Sequence, residues 1–229
     1  MLEIACFEFT SAEVALKSVA DRIEFCANHD LGGTTPDFYE FRSLKSNFSK
    51  PIYVMIRPKG GPFFYSDAEF LQMKNSIIEF AEGGADGFVF GILNEHHEID
   101  EEKNAELIEL AAGIPCTFHR AFDRTKDLEK SIQTLIKLGI TNVLTSGGQP
   151  NAMEGKEMLK KLIDKYSDKI NILIGDGGKH PGQFVPLVIA VWRVTDQRKA
   201  PGFGFCGNGD AGEEQGCEVP HTHLTSIAT

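Results

Sequence analysis

The sequence lacks the long apolar run that a membrane helix needs, since no stretch approaches the roughly 20 apolar residues of a span. It also lacks basic charge. Its 23 Lys and Arg stand against 33 Asp and Glu, for a formal net charge of −10 and a pI near 5.2. That balance repels phosphate backbones and anionic lipid surfaces, so neither nucleic acid nor a membrane is an expected partner. Cysteine is sparse: Cys6, Cys26, Cys116, Cys206 and Cys217 are five in number, and none sits in a CxxC pair. An odd, scattered set argues against a disulfide framework and for a reducing compartment. The opening LEIACF runs straight into a charged helical segment, without the basic start and long apolar stretch of a secretory leader. A cytoplasmic location is expected.

What is present is alternation. Short apolar runs rich in β-branched residues recur at residues 2–7, 22–27, 52–57, 87–93, 116–122, 142–146 and 170–174. Amphipathic helical segments separate them, which predicts parallel strands joined by crossover helices. Ser66 to Glu69 has the spacing of a capping box, followed by Phe70, Met73, Ile77 and Phe80 at intervals of three and four. Asp127 opens a helix bearing Leu128, Ile132, Leu135, Ile136 and Leu138, which Gly139 closes. Residues 154–166 carry Met158, Leu159, Leu162 and Ile163 on one side. The even spacing favours a closed parallel (β/α) TIM-type barrel over an open doubly wound sheet, with seven clear strands where such a barrel has eight.

No linker divides residues 1–178, which read as one barrel domain. Residues 179–229 break the pattern and read as an atypical tail, either a divergent extension or an out-of-frame end, and are expected to be poorly ordered. Its one plausible strand, residues 186–194, has no helix before it and at best fills the gap between strands one and seven. Missing barrel units leave apolar surface and open strand edges, which raises homo-oligomerisation as an expectation. Cys206, Cys217, His221 and His223 match no compact metal-ligand spacing, so this tail set is read as part of a disordered or poorly packed end rather than a metal site.

Several phrases fall at the C-terminal ends of the predicted strands, where barrel sites are built. They are ADRIEFC (20–26), LGGTTP (31–36), VMIRPKGG (54–61), YSDAEF (65–70), GADGFVFGIL (84–93), TFHRAFD (117–123) and LTSGG (144–148). In residues, order and spacing these resemble the CutC family over residues 1–178, and the tail carries no such resemblance. The resemblance implies a TIM-type barrel and a role in copper homeostasis, with Cu(I) held through thiolates. It implies one metal cysteine at Cys26 and another in strand one. There the family commonly reads LEIC, while this chain reads LEIAC, which puts Ala5 at that place and Cys6 one residue on. A one-residue shift turns a side chain to the opposite face of the sheet.

Strand alternation places Glu24 and Cys26 on one face with Arg22, Tyr53 and Met55 with Arg57, and Thr117 with His119, Ala121 and Asp123. If these faces line the lumen, Glu24, Cys26, Arg57, His119 and Asp123 converge on one mouth. Plainer readings stand beside this one. Glu24 and Arg57 can form a buried ion pair, His119 can be a satisfied core histidine, and Cys26 can be a small buried hydrophobe. Ser146 and Gly147 read either as a simple turn or as part of a phosphate-binding nest. His96 and His97 read as a solvated loop. Two functions therefore remain open. One is a Cu(I)-binding homeostasis protein with Cys26, and secondarily Cys6, as metal ligands. The other is an enzyme acting on a small, possibly phosphorylated metabolite. It would use His119 and Glu24 as acid and base, with Arg57, Asp123, Ser146 and Gly147 holding the ligand.

Overall fold

The structure is a computed structural model, and it describes residues 1–175 together with the backbone of 187–192. Elements follow in the order β1 Leu2–Cys6, α1 Phe9–Lys17, β2 Arg22–Phe25, α2 Phe38–Asn47, β3 Ile52–Met55, α3 Asp67–Glu82, β4 Gly87–Phe90, α4 Glu101–Leu110, β5 Cys116–Phe118, α5 Leu128–Leu138, β6 Asn142–Thr145, α6 Lys156–Tyr166, β7 Asn171–Gly175 and β8 Leu187–Trp192. Strands β1 to β7 pair in sequence, each parallel to the last. The TIM-type reading therefore holds, with seven parallel strands and alternating helices.

The closure is unusual. β8 lies antiparallel to both of its neighbours, pairing Ile189 with Glu3 of β1 and with Gly175 of β7. A parallel eighth strand would need a crossover helix before it, and an antiparallel one does not. The strand read at residues 186–194 thus occupies the gap between strands one and seven. The rest of the region read as a tail lies outside the described residues, as do Cys206, Cys217, His221 and His223.

The helices form for the reasons legible in their sequences. Ser66 caps α3, where its N–H reaches the Glu69 carboxylate at 2.8 Å while its hydroxyl takes the Glu69 N–H at 3.4 Å. Asp127 accepts the N–H groups of Glu129 and Lys130 at 3.0 Å, and Gly139 ends α5 with φ +82°. The strands bury two faces. Ile23, Phe25, Ile52, Val54, Phe88, Phe90, Phe118 and Ile172 point out into the helix layer and form the main core. At about 2 kcal/mol for each fully buried aliphatic or aromatic side chain, this layer supplies most of the drive to fold. A smaller cluster of Cys26, Tyr53, Met55 and Val89, with Phe7 packed against it, fills the inside of the barrel.

Glycines on β4 make room for that interior. A Cβ on Gly87 would stand 2.4 Å from the Tyr53 ring, and one just beyond the strand on Gly91 would stand 2.7 Å from Nδ1 of His119. The strands are shorter than their apolar runs imply. β5 stops at Phe118, and residues 120–124 form a 3₁₀ turn.

Candidate functional site

Inward alternation brings Ala5, Glu24, Met55 and Leu144 to the C-terminal end of the barrel. There they line a pocket of about 420 Å³, counting its open side, together with Phe7, Gly32, Arg57, Phe63, His119 and Arg120. Arg57 and His119 thus share one mouth.

β1 shows the effect of the inserted residue. Ala5 faces the pocket, and Cys6 belongs to the helix-side core, where its thiol donates to the Ile4 carbonyl at 3.6 Å. Burial, and then the nearby Glu24, push the Cys6 thiol up to about 12. Cys26 faces the lumen. Its thiol donates to Oε1 of Glu24 at 3.3 Å, and burial first and Glu24 second hold its pKa well above the ordinary thiol value. Gly33, at φ +87°, lets the chain fold over this thiol, for a Cβ there would stand 3.6 Å from Cys26 Sγ and 3.6 Å from Met55 Cε. The Cys26 thiol and the terminal methyl of the Met55 thioether therefore flank one spot. Among the described residues no group of three His, Cys, Asp or Glu side chains is close enough to hold a metal between them. The donor set fits a soft ion of low coordination number and does not fit a hard ion that needs many oxygens.

Glu24 and Arg57 do not form the ion pair that one reading allowed. Arg57 gives Nη1 to the carbonyls of Leu31, Gly32 and Gly33 at 2.8–3.1 Å and Nη2 to that of Gly61 at 3.0 Å. Its guanidinium is the pin that holds two mouth loops, and it lies 5.0 Å from the centre of the Phe63 ring. The Arg57 Nε has no partner among the described residues. Glu24 is 3% exposed, and burial first, then the neighbouring Glu3, raise its pKa to about 8. Its Oε2 has no partner among the described residues. Beneath it, Glu3 and Arg22 form a buried ion pair, with Arg22 4.0 Å over the Tyr53 ring.

His119 is 3% exposed and packs against Phe63 at 4.8 Å between ring centres. Its Nδ1 accepts the Ala121 N–H at 3.2 Å, which puts the imidazole proton on Nε2. Burial first, and then the charge of Arg57, lower its pKa to about 3. Nε2 has no partner among the described residues, so His119 is not the satisfied core histidine of the plainer reading.

Asp123, expected at the mouth from alternation, does not line the pocket but lies beside Arg120, which does. The 3₁₀ turn after β5 resets the side-chain direction, and the carboxylate then accepts the N–H groups of Ser146 and Gly148 at 2.8–3.2 Å. The turn considered as a phosphate nest is filled by the protein's own carboxylate. Gly147 gives its N–H to the Thr145 hydroxyl at 2.9 Å. Arg120, which alternation pointed outward, instead pairs with Asp123, donates to the Ser146 hydroxyl at 2.6 Å and lines the pocket. Its signal was its place beside His119 in HRAFD, and only the turn geometry reveals it. His96 and His97 lie exposed in the loop before α4, as the solvated reading expected. No helix of the described residues is long and apolar enough to cross a membrane.

Comparison with known proteins places this arrangement. The sequence profile of the CutC family matches residues 1–190. The human copper homeostasis protein cutC homolog is 41% identical over 177 residues, which are 77% of this chain and 65% of the human protein. The chain thus matches just under two thirds of that relative's length. The family protein CutC of Pasteurella multocida is 39% identical over 176 residues, covering 77% of this chain and 72% of that protein. A crystal structure of the Streptococcus agalactiae CutC superposes with a TM-score of 0.73 at 32% identity, over 76% of this chain and 87% of that one. The barrel, its mouth motifs and these matches together make this chain a member of the CutC family.

Proposed function

We propose that this chain serves copper homeostasis, the role its human relative is named for, by holding Cu(I) at Cys26 with Met55 as the second soft donor. The observation that carries this is the pair of sulfur side chains flanking one spot under Gly33 in the lumen. Thiolate and thioether are the ligands a soft monovalent ion selects. Charge supports the same choice. When Cu(I) replaces the thiol proton of Cys26, one positive charge leaves and one arrives, and the buried lumen keeps its net charge. A divalent ion would leave a positive charge there without a partner, which is costly in a buried site.

Cys6 adds little in this reading, because it faces the helix layer. The site is accordingly weaker than one with two lumen cysteines. Competitive Cu(I) titration tests this. Cys26→Ser should abolish binding, Met55→Leu should weaken it roughly ten-fold, Cys6→Ser should leave it unchanged, and Ala5→Cys should tighten it. Equal losses from Cys6→Ser and Cys26→Ser would overturn the assignment. The reducing, cytoplasmic setting expected from the scattered cysteines is the one in which Cu(I) and a free thiol coexist.

A further inference from the structure

The Cys26 thiol is sealed from the pocket. Cys26 is 1% exposed and, unlike Glu24 and Met55, is not among the residues lining the mouth. Its cover is Gly33. A Cβ there would stand 3.3 Å from the Phe7 ring and 3.6 Å from both Cys26 Sγ and Met55 Cε, so the backbone itself closes over the sulfur.

The cover belongs to a strap, residues 28–33, that holds its own shape. The N–H groups of Leu31 and Gly33 donate to the Asn28 carbonyl at 3.0 and 3.2 Å, and that of Gly32 to the His29 carbonyl at 2.8 Å. Its base is fixed where Ala27 and Thr34 exchange two N–H···O bonds at 2.9 Å and the Asn28 amide donates to the Thr34 hydroxyl at 2.8 Å. Residues 28–32 are all exposed, so none of their side chains anchors the strap in the core. His29 meets Phe7 edge-on at 4.8 Å between ring centres, and Leu31 lies over Gly60. The main tie is Arg57, whose Nη1 shares its two hydrogens among the carbonyls of Leu31, Gly32 and Gly33. Arg57 cannot follow the strap outward, because its backbone exchanges bonds with Thr35 at 2.8 and 2.9 Å and its Nη2 holds Gly61. A segment with few buried contacts and one tie opens at far lower free energy than the barrel beneath it.

We propose that residues 28–33 are a gate over Cys26, latched by Arg57, and that a soft ion enters and leaves the sulfur site only when the strap lifts about its Ala27–Thr34 base. This gate, which presupposes the copper reading of that site, sets rate and not affinity. Arg57 bonds to the strap and to neither sulfur group, so loosening the latch speeds entry and release together. A lysine at position 57 supplies a point charge in place of the fork and loses part of the three-carbonyl latch.

The test is alkylation of the full metal-free chain with iodoacetamide at fixed pH, read thiol by thiol by peptide mass spectrometry. Cys6 and Cys116, each 2% exposed in the helix-side core, are the references. In wild type Cys26 should label through local opening, at a rate that hardly changes with sub-denaturing urea. Cys6 and Cys116 should label only through larger unfolding, at rates that climb steeply with urea. Arg57→Lys should speed Cys26 labelling roughly ten-fold and leave the two references within about two-fold. Stopped-flow exchange of Cu(I) with a competing chelator should show uptake and release both roughly ten-fold faster in Arg57→Lys, at unchanged affinity. Wild-type Cys26 labelling as urea-dependent as that of Cys6 would overturn the gate, even if Arg57→Lys fails to fold. An increase shared equally by all three thiols in Arg57→Lys would overturn the latch. Faster labelling with unaltered Cu(I) rates would overturn the gate's part in copper passage. Local labelling in a chain that takes up no Cu(I) would keep the gate and overturn the copper reading.

Discussion

Glu24 and His119 are displaced from their ordinary ionisation in opposite directions, and stability should record both. Glu24 is protonated up to about 8 in the folded chain against an ordinary 4.5. Between those values the folded state holds the proton and the unfolded chain does not, so stability falls as pH rises through that window and is flat above it. His119 is neutral down to about 3 against an ordinary 6.5. There the unfolded chain takes the proton first, so stability falls as pH drops from 6.5 towards 3. The two slopes oppose each other between 4.5 and 6.5, and these residues together set a plateau there. Each unit of displacement is worth about 1.4 kcal/mol. Glu24→Gln should therefore gain melting temperature over wild type as pH rises from about 5 to 8, by several degrees. His119→Gln should remove the acid limb instead. Variant-to-wild-type differences that do not change with pH would contradict this. The faces of Glu24 and Cys26 were legible from strand alternation, and those of Ala5 and Cys6 from the resemblance to LEIC with one residue added. Those of Arg120 and Asp123 were not, because the chain leaves β5 at Phe118 and alternation has no meaning in the turn that follows.

At the scale of elements, two devices shape the mouth. The first is the Arg57 fork. It joins the loop after β2 to the loop after β3 through four carbonyls, which the ammonium of a lysine cannot reach together. Arg57→Lys should speed amide exchange at residues 31–33 and 60–61 roughly ten-fold while leaving the strands protected. Uniform exchange across the barrel would contradict a local role. The second device is small residues on β4. Gly87→Ala drives a Cβ into the face of Tyr53 and should cost about 1–3 kcal/mol. Tyr53→Leu in the same chain should recover part of that loss, seen as a coupling energy in a double-mutant cycle. Helix caps such as Ser66 with Glu69 and Asp127 with Gly139 were readable because their chemistry is local. The carbonyl partners of Arg57 were not, because they come from loops brought together only by barrel closure.

For the whole molecule, the decisive feature is closure by an antiparallel strand. β8 pairs both open edges, β1 and β7, and so removes the exposed ladders that a seven-stranded open sheet presents to other chains. Ile189→Pro deletes an N–H from the middle of β8 and blocks its regular pairing. It should lower the melting temperature and promote association, both visible by light scattering during a thermal ramp. A variant that melts like wild type would show that β8 contributes little. The seven parallel strands were legible because each recurs with its helix. The direction of β8 was not, since an apolar run carries no sign of which way its neighbours travel. The same barrel places Cys26 inside with Met55 and leaves Cys6 outside, and this is the central claim for function. X-ray absorption at the copper edge tests it most directly, on chain loaded with one equivalent of Cu(I). The account predicts two sulfur neighbours in wild type, one after Met55→Leu and an unchanged spectrum after Cys6→Ser. Sulfur coordination that survives Cys26→Ser would contradict it.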